Sequence, residues 1–277
     1  NSESYITVYF IFLIFATIFS AVINQVFIKL SKTLGIRNHD ETIIRWSSTS
    51  KPALGGISFY IIFLLSSIIY NLIFSDPHSE IYFNTKFLGL LSATGIAFLM
   101  GLADDAYNTN PILKFGCQII CGTILITSGT YITIFESQTL NYCLTLFWVI
   151  GMMNSINMLD NMDGITTIVS IFIILSAILT IYLHNDYSDV YIIILIGVLG
   201  ALIGFLFHNF HPSTIFMGDT GSQFLGVFLA AIGITYFWNN TEIGGTEDIT
   251  KQLLITALAF IIPIIDTTTV TINRLRR

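Results

Sequence analysis

Four short stretches hold the side chains best suited to chemistry: "STSKPALGG" (48–56), "GLADDAYNTNPILK" (101–114), "NSINMLDNMDGI" (154–165) and "FHNFHPSTIFMGDTGS" (207–222). Each adjoins a strongly apolar run on at least one side. Asp104 and Asp105 follow an apolar run that reads as a helix. The C-terminal end of a helix carries partial negative charge, so each carboxylate there is disfavoured by roughly 0.3–1 kcal/mol. A cation, or a raised pKa on one member, relieves the pair; a plain interfacial stop signal is the alternative. Lys114 opens the next run and can return to the same pocket.

Asn157 and Asp160 are three residues apart, one face of a helix if the segment continues. Asp163 and Gly164 begin another run, where a carboxylate suits a helix N-terminus and plain capping is one reading of the aspartate; three amide or carboxylate groups within seven residues are more than a turn needs. Asp219 has the same ambiguity, as a helix cap or as a ligand. Gly218 and Gly221 beside it read as turn residues. Asn209, His208 and His211 read as loop residues. Asp and Asn are hard oxygen ligands suited to Mg²⁺, which keeps waters and bridges phosphate oxygens. Lys51 meets phosphate as a point charge or is simply a loop cation. Asp266, in "PIIDTT", either serves the same site or binds neighbouring backbone.

The elements that must position these groups are membrane helices. The chain of 277 residues is 54% hydrophobic and 10% charged, where a soluble domain has about 25% charged residues. Its apolar runs are roughly 17–25 residues long, the length of a bilayer-spanning helix. Alternation in blocks of about ten residues, the mark of a membrane barrel, is absent. The expected fold is an all-α polytopic membrane protein. Nine segments are read at 5–30, 53–74, 86–103, 112–130, 140–158, 164–183, 190–207, 222–238 and 252–272.

Charge sets the expected orientation. The ends and loops on the odd side hold Lys29, Lys32, Arg37, Arg45, Lys51, Lys114, Arg274, Arg276 and Arg277, against Lys86 and Lys251 on the other. The odd side is therefore expected in the cytoplasm and the N-terminus outside. Asp104, Asp105, Asp160, Asp163 and Asp219 all fall on that cytoplasmic side, whereas the acids opposite sit in ordinary polar loops. Carboxylates and amides for a divalent cation, with lysines for phosphate, predict a phosphate-handling site at the cytoplasmic interface. No basic patch with interleaved aromatics is present, which argues against nucleic acid. Cys117, Cys121 and Cys143 lie in apolar runs and read as packing residues.

The motifs "GLADD…K", "NMLDNMDG", "HNFHPSTIFMGDTGS" and "PIIDT" resemble the signatures of the polyprenyl-phosphate N-acetylhexosamine-1-phosphate transferases. The likeness spans roughly residues 48–270, in the family's order. It implies transfer of a sugar 1-phosphate from a UDP-sugar to a polyprenyl phosphate in the plasma membrane, releasing UMP, with Mg²⁺ or Mn²⁺. By this resemblance Asp219 and Asn157 hold the metal. Asp104 and Asp105 activate the lipid phosphate or assist the metal, and Lys114 lies near the lipid phosphate. Lys51, Asp160, Asp163, Gly164, Asn209 and Phe216 bind substrate, with Asp163 and Gly164 at the uracil. UDP-GlcNAc is the expected donor, because "NMLDNMDG" and "PIIDT" look closer to the O-antigen and teichoic acid branch than to the pentapeptide translocase. A homodimer is common in the family.

Asn161 stands where the family often has glycine. The family's histidine-rich loop and one or two further helices are expected beyond Arg277, so residues 1–277 read as one integral membrane domain without them. The rival class is a secondary transporter, whose carboxylates should lie near the midplane in broken helices of inverted repeats.

Overall fold

The computed structural model describes residues 2–33, 51–74, 84–183, 190–240 and 249–276. Arg37, Arg45 and the loop acids Asp76, Glu80, Asp186, Asp189, Glu242, Glu247 and Asp248 lie outside them. The described residues form an all-helical, polytopic membrane protein. Its helices are α1 (Ser2–Thr33), α2 (Gly55–Phe74), α3 (Thr85–Tyr107), α4 (Pro111–Thr127), α5 (Gln138–Leu159), α6 (Ile165–Leu183), α7 (Val190–Asn209), α8 (Gly218–Gly233), α9 (Ile249–Ala259) and α10 (Ile261–Leu275). A π-helical turn, Ile234–Trp238, prolongs α8.

Each of the nine expected segments contains one helical unit, but the units are unequal. Six are long and apolar enough to cross a membrane, whereas Gly55–Tyr70 and Pro111–Thr127 are shorter. The last expected segment, 252–272, is not one straight helix: α9 and α10 meet at a 79° bend. Pro263 is the physical reason. It has no N–H to donate, and its ring clashes with the carbonyl four residues earlier, so a helix cannot run straight through it. The Pro263 carbonyl accepts from Ser155 Oγ of α5 at 2.8 Å, which ties α10 to the bundle.

The centre of the bundle is α8. Its residues from Thr220 to Gly233 are all buried, and it packs against α2, α3, α5 and α6. A helix apolar on every side is one surrounded by other helices. Its first turn lies backbone to backbone with its neighbours. A Cβ on Gly101 of α3 would stand 2.6 Å from Thr220 Cα, and one on Gly221 would stand 2.9 Å from Gly56 Cα of α2. At the other edge α1 packs on α7, where Gly200 and Gly204 let the two helices approach closely. The outward face of α1, including Phe10, Ile11, Phe15 and Ile18, stays exposed as a lipid-facing stripe.

Three local expectations change. The eighth segment starts at Gly218 rather than 222, which puts Asp219 inside its first turn. Asn209 and His208 belong to the last turn of α7 and not to a loop. Helix α5 stops at Leu159, so Asp160 is its C-terminal cap residue and not a further helical position.

Candidate active site

The foot of α8 is the point on which the predicted residues converge. Asp219, in the first turn, accepts from Lys114 Nζ at 2.8 Å through Oδ2 and from Asn157 Nδ2 at 2.5 Å through Oδ1. The same Asn157 amide group donates to Ser222 Oγ at 2.9 Å, one turn along α8. Lys114 also pairs with Asp104, so its ammonium stands between two carboxylates carried by α3 and α8. Asp104 is 7% exposed and accepts further from Thr109 N at 2.8 Å and Thr109 Oγ1 at 2.5 Å. The tight turn that allows this has Asn108 in the left-handed region, φ 52°.

Asp105 does something different from its neighbour. Successive residues on a helix are rotated by about 100°, so their side chains diverge. The Asp105 carboxylate reaches the start of α8 and accepts from Asp219 N at 2.9 Å, Thr220 N at 2.9 Å and Thr220 Oγ1 at 2.6 Å. These backbone N–H groups are orphans of the first helical turn. The cap of α8 is therefore supplied from α3, and Asp219 is free of the capping task that its position in sequence allowed. Gly218, φ 73°, makes room: a Cβ there would stand 2.6 Å from Asp105 Oδ2.

A second cluster adjoins the first. Three backbone bonds zip the segment before α2 to the segment before α8: Phe216 N to Pro52 O at 2.9 Å, Gly55 N to Phe216 O at 3.1 Å and Gly56 N to Met217 O at 2.9 Å. The zip brings Lys51 Nζ to 5.1 Å from the centre of the Phe216 ring, a cation–π distance. Lys51 donates to Ser213 Oγ at 2.9 Å and lies 3.9 Å from Asp163. Asp163 also accepts from Ser213 N at 3.0 Å and Ser213 Oγ at 2.7 Å, and meets His211 Nδ1 at 3.1 Å. Burial alone would raise the Asp163 pKa. The Ser213 N–H and hydroxyl, His211 and Lys51 outweigh it and hold the carboxyl below the usual carboxylate range.

Asp160 is half-buried between the clusters, with no hydrogen-bond partner for its carboxyl among the described residues. Burial, and then the charges of Asp219, Asp105 and Asp163, push its pKa well up. Asn209 is turned inward, 2% exposed. Its Oδ1 accepts from Gly164 N at 3.2 Å and Thr167 Oγ1 at 2.8 Å, and its Nδ2 donates to Ile215 O at 3.1 Å. It thus clamps the start of α6 to the end of α7, and it holds Gly164 in the positive-φ conformation, 75°, that glycine adopts readily. Asp266 lies on α10, and among the described residues its side chain bonds to neither cluster.

The structure thus joins Asp104, Lys114, Asn157 and Asp219 in one network, and Lys51, Asp163 and Phe216 in another. Asp105 and Asn209 serve the backbone beneath them. Thr109, Ser213, Thr220 and Ser222 were not singled out from the sequence, although all four lie inside or beside its motifs. Their bonds to Asp104, Asp163, Asp105 and Asn157 cross between elements, except for the local Thr109 contact. The charged groups number five carboxylates and two ammonium groups, a surplus of negative charge that suits an added cation. Among the described residues no three His, Cys, Asp or Glu side chains form a metal cage. Mg²⁺ is usually held by one or two carboxylates plus waters and substrate phosphates. Asp219 with the Asn157 amide, rotated to present its oxygen, fits that pattern.

Acids, amides and lysines drawn from several helices of an all-helical membrane bundle thus converge on one candidate site suited to a charged ligand. The sequence profile described as "Glycosyl transferase family 4" matches residues 87–237. The chain belongs to that family. It is similar to a phospho-N-acetylmuramoyl-pentapeptide-transferase of Streptococcus agalactiae, 34% identical over 226 residues, 75% of this chain and 66% of that protein. It is also similar to a probable undecaprenyl-phosphate N-acetylglucosaminyl 1-phosphate transferase of Bacillus subtilis, 28% identical over 233 residues, 81% of this chain and 60% of that protein. A decaprenyl-phosphate N-acetylglucosaminephosphotransferase of Mycobacterium leprae is 29% identical over 250 residues, 82% of this chain and 62% of that protein. The chain thus spans a little under two thirds of the length of these relatives.

Proposed function

We propose that this protein transfers an N-acetylhexosamine 1-phosphate from a UDP-sugar to a polyprenyl phosphate, at the cytoplasmic face of the plasma membrane. The observation that carries this reading is the Lys114 ammonium, held between Asp104 and Asp219 beside Asn157 at the foot of α8. A lysine there would neutralise phosphate oxygens, and the neighbouring Asp219 carboxylate would hold a divalent cation that adds to that neutralisation. The names of the similar proteins agree with a polyprenyl phosphate and a phosphosugar as the two substrates.

In the proposed reaction a phosphate oxygen of the lipid attacks the sugar-side phosphorus of the UDP-sugar. A P–O bond forms, the bond to the bridging oxygen breaks, and that oxygen leaves with UMP. Lys114 holds the attacking phosphate and screens charge in the transition state. Asp104 holds Lys114, and Asp105 holds the first turn of α8 so that Asp219 keeps its place. Lys51, Phe216 and Asp163 form the nucleotide side of the site, with the ring offering a stacking face and Asp163 an acceptor for a uracil N–H. Asp219 and Asn157 would hold a Mg²⁺ or Mn²⁺, which would supply further neutralisation of the diphosphate charge. Positioning and electrostatics account for most of the acceleration in such transfers.

The donor is read as UDP-GlcNAc, and similar proteins of both donor types match the chain. The test is release of UMP from UDP-GlcNAc, UDP-GalNAc and UDP-MurNAc-pentapeptide, each with undecaprenyl phosphate and Mg²⁺. Asp219→Ala should abolish release while the protein still purifies as a folded species. Sustained turnover in that variant would overturn the metal assignment.

A further inference from the structure

Gln118 is an amide set within the apolar run "KFGCQIICG" of α4, and it is 2% exposed. A buried amide without partners is costly. This one is paired reciprocally with Asn154 of α5: Gln118 Nε2 donates to Asn154 Oδ1 at 3.3 Å, and Asn154 Nδ2 donates to Gln118 Oε1 at 2.9 Å. Asn154 Nδ2 also donates to Ile150 O at 2.8 Å, which fixes the rotamer of the α5 partner.

The position of this clasp gives it a task. Gln118 lies one helical turn from Lys114, and Asn154 lies one turn from Asn157. Lys114 and Asn157 both bond to Asp219. The clasp therefore joins the two helices that bring a cation and an amide to the same carboxylate. A reciprocal amide pair is sensitive to sliding, because a shift by one residue, about 1.5 Å along the axis, misaligns both bonds. Beside the ion pairs of Lys114 itself, the first turn of α4 has little side-chain packing, since Ile112, Leu113 and Phe115 are all exposed.

We propose that Gln118 is a positioning residue for Lys114: the Gln118–Asn154 amide pair sets the axial register of α4 on α5 and so aims the ammonium at the reacting phosphate. The inference rests on the phosphosugar transfer proposed above. Gln118 itself touches no substrate.

The full-length protein carries the test. Gln118→Met keeps the volume and removes both bonds. The exchange Gln118→Asn with Asn154→Gln restores an amide pair of the same total reach. Two quantities are read: the kinetics of UMP release, and the labelling rate of Lys114 by an amine-reactive reagent, measured by mass spectrometry. Gln118→Met should lower kcat by about 10–100-fold, the scale of a misplacement near 1 Å. The KM for the UDP-sugar should stay within about threefold, and Lys114 labelling should rise severalfold. The exchange variant should return both quantities close to wild type. In a Lys114→Met background, Gln118→Met should cause no further loss of residual turnover.

Wild-type kcat and wild-type Lys114 labelling in Gln118→Met would overturn the inference. So would losses that multiply in the Lys114→Met background. If Gln118→Met does not purify folded, the exchange variant decides: restored labelling supports the clasp, and failure to restore it, or to fold, refutes it. Absence of UMP release in the wild type would refute the transfer reading instead, and the labelling comparison would still judge the clasp.

Discussion

Replacing Asp105 by Asn separates an anchoring role from a chemical one. In the structure its carboxylate accepts three bonds from the first turn of α8, two from backbone N–H groups and one from the Thr220 hydroxyl. An asparagine can keep the pair on Thr220 with its carbonyl oxygen. Its NH₂ then faces the Asp219 N–H, donor against donor. The loss is one charge-assisted hydrogen bond, about 1.5–3 kcal/mol, plus the favourable charge at a helix N-terminus, about 0.3–1 kcal/mol. Together they come to about 2–4 kcal/mol. At about 2 °C per kcal/mol for a chain of this size, the thermal midpoint in detergent should fall by roughly 4–8 °C. Turnover should fall with it, because Asp219 loses its fixed place. The measurements are unfolding followed by intrinsic tryptophan fluorescence and, in parallel, UMP release. An Asp105→Asn protein with an unchanged midpoint and no turnover would refute the anchoring argument and place Asp105 directly on the substrate.

Asp160→Asn should raise the midpoint of the ligand-free protein near neutral pH while lowering turnover. The folded protein raises the pKa of this carboxyl, so its stabilising contribution fades as pH climbs from the ordinary carboxylate range through the raised value; a midpoint that falls instead would contradict this. Asp163 behaves in the opposite sense. Its folded pKa is depressed, so the stability it gives is present above the ordinary aspartate value and is lost as pH falls through the depressed one. Acid titration of wild type and Asp163→Asn, followed by hydrogen exchange at the Ser213 amide, should show an acid-sensitive step only in wild type.

The helical architecture was largely legible, because long apolar runs leave few alternatives to a membrane helix. The parity of the polar loops also placed Asp104, Lys114, Asn157 and Asp219 at one end of the bundle, and their mutual bonds bear that out. What escaped was direction at short range. Asp104 and Asp105 are adjacent in sequence and act on different helices, since the helical rotation between them cannot be aimed without knowing what packs nearby. Asn209 looked like a loop residue because the polar sequence after it hid the last turn of α7. The bend before α10 had a visible signal in Pro263, outweighed by the apolar length around it. Gln118 also had one, as a lone amide one turn from a candidate lysine, but its partner lies 36 residues away.

The burial of α8 has a consequence for how the molecule is made. Its neighbours α2, α3, α5 and α6 all precede it in the chain. During synthesis from the N-terminus, the walls of the slot exist before the helix that fills it. The polar foot of α8, with Asp219 and Ser222, then meets Lys114 and Asn157 on helices already made. Circular permutants that place α8 first would have to insert it with nothing to receive that polar end. The order of the helices along the chain is thus compatible with building the slot before the helix that fills it.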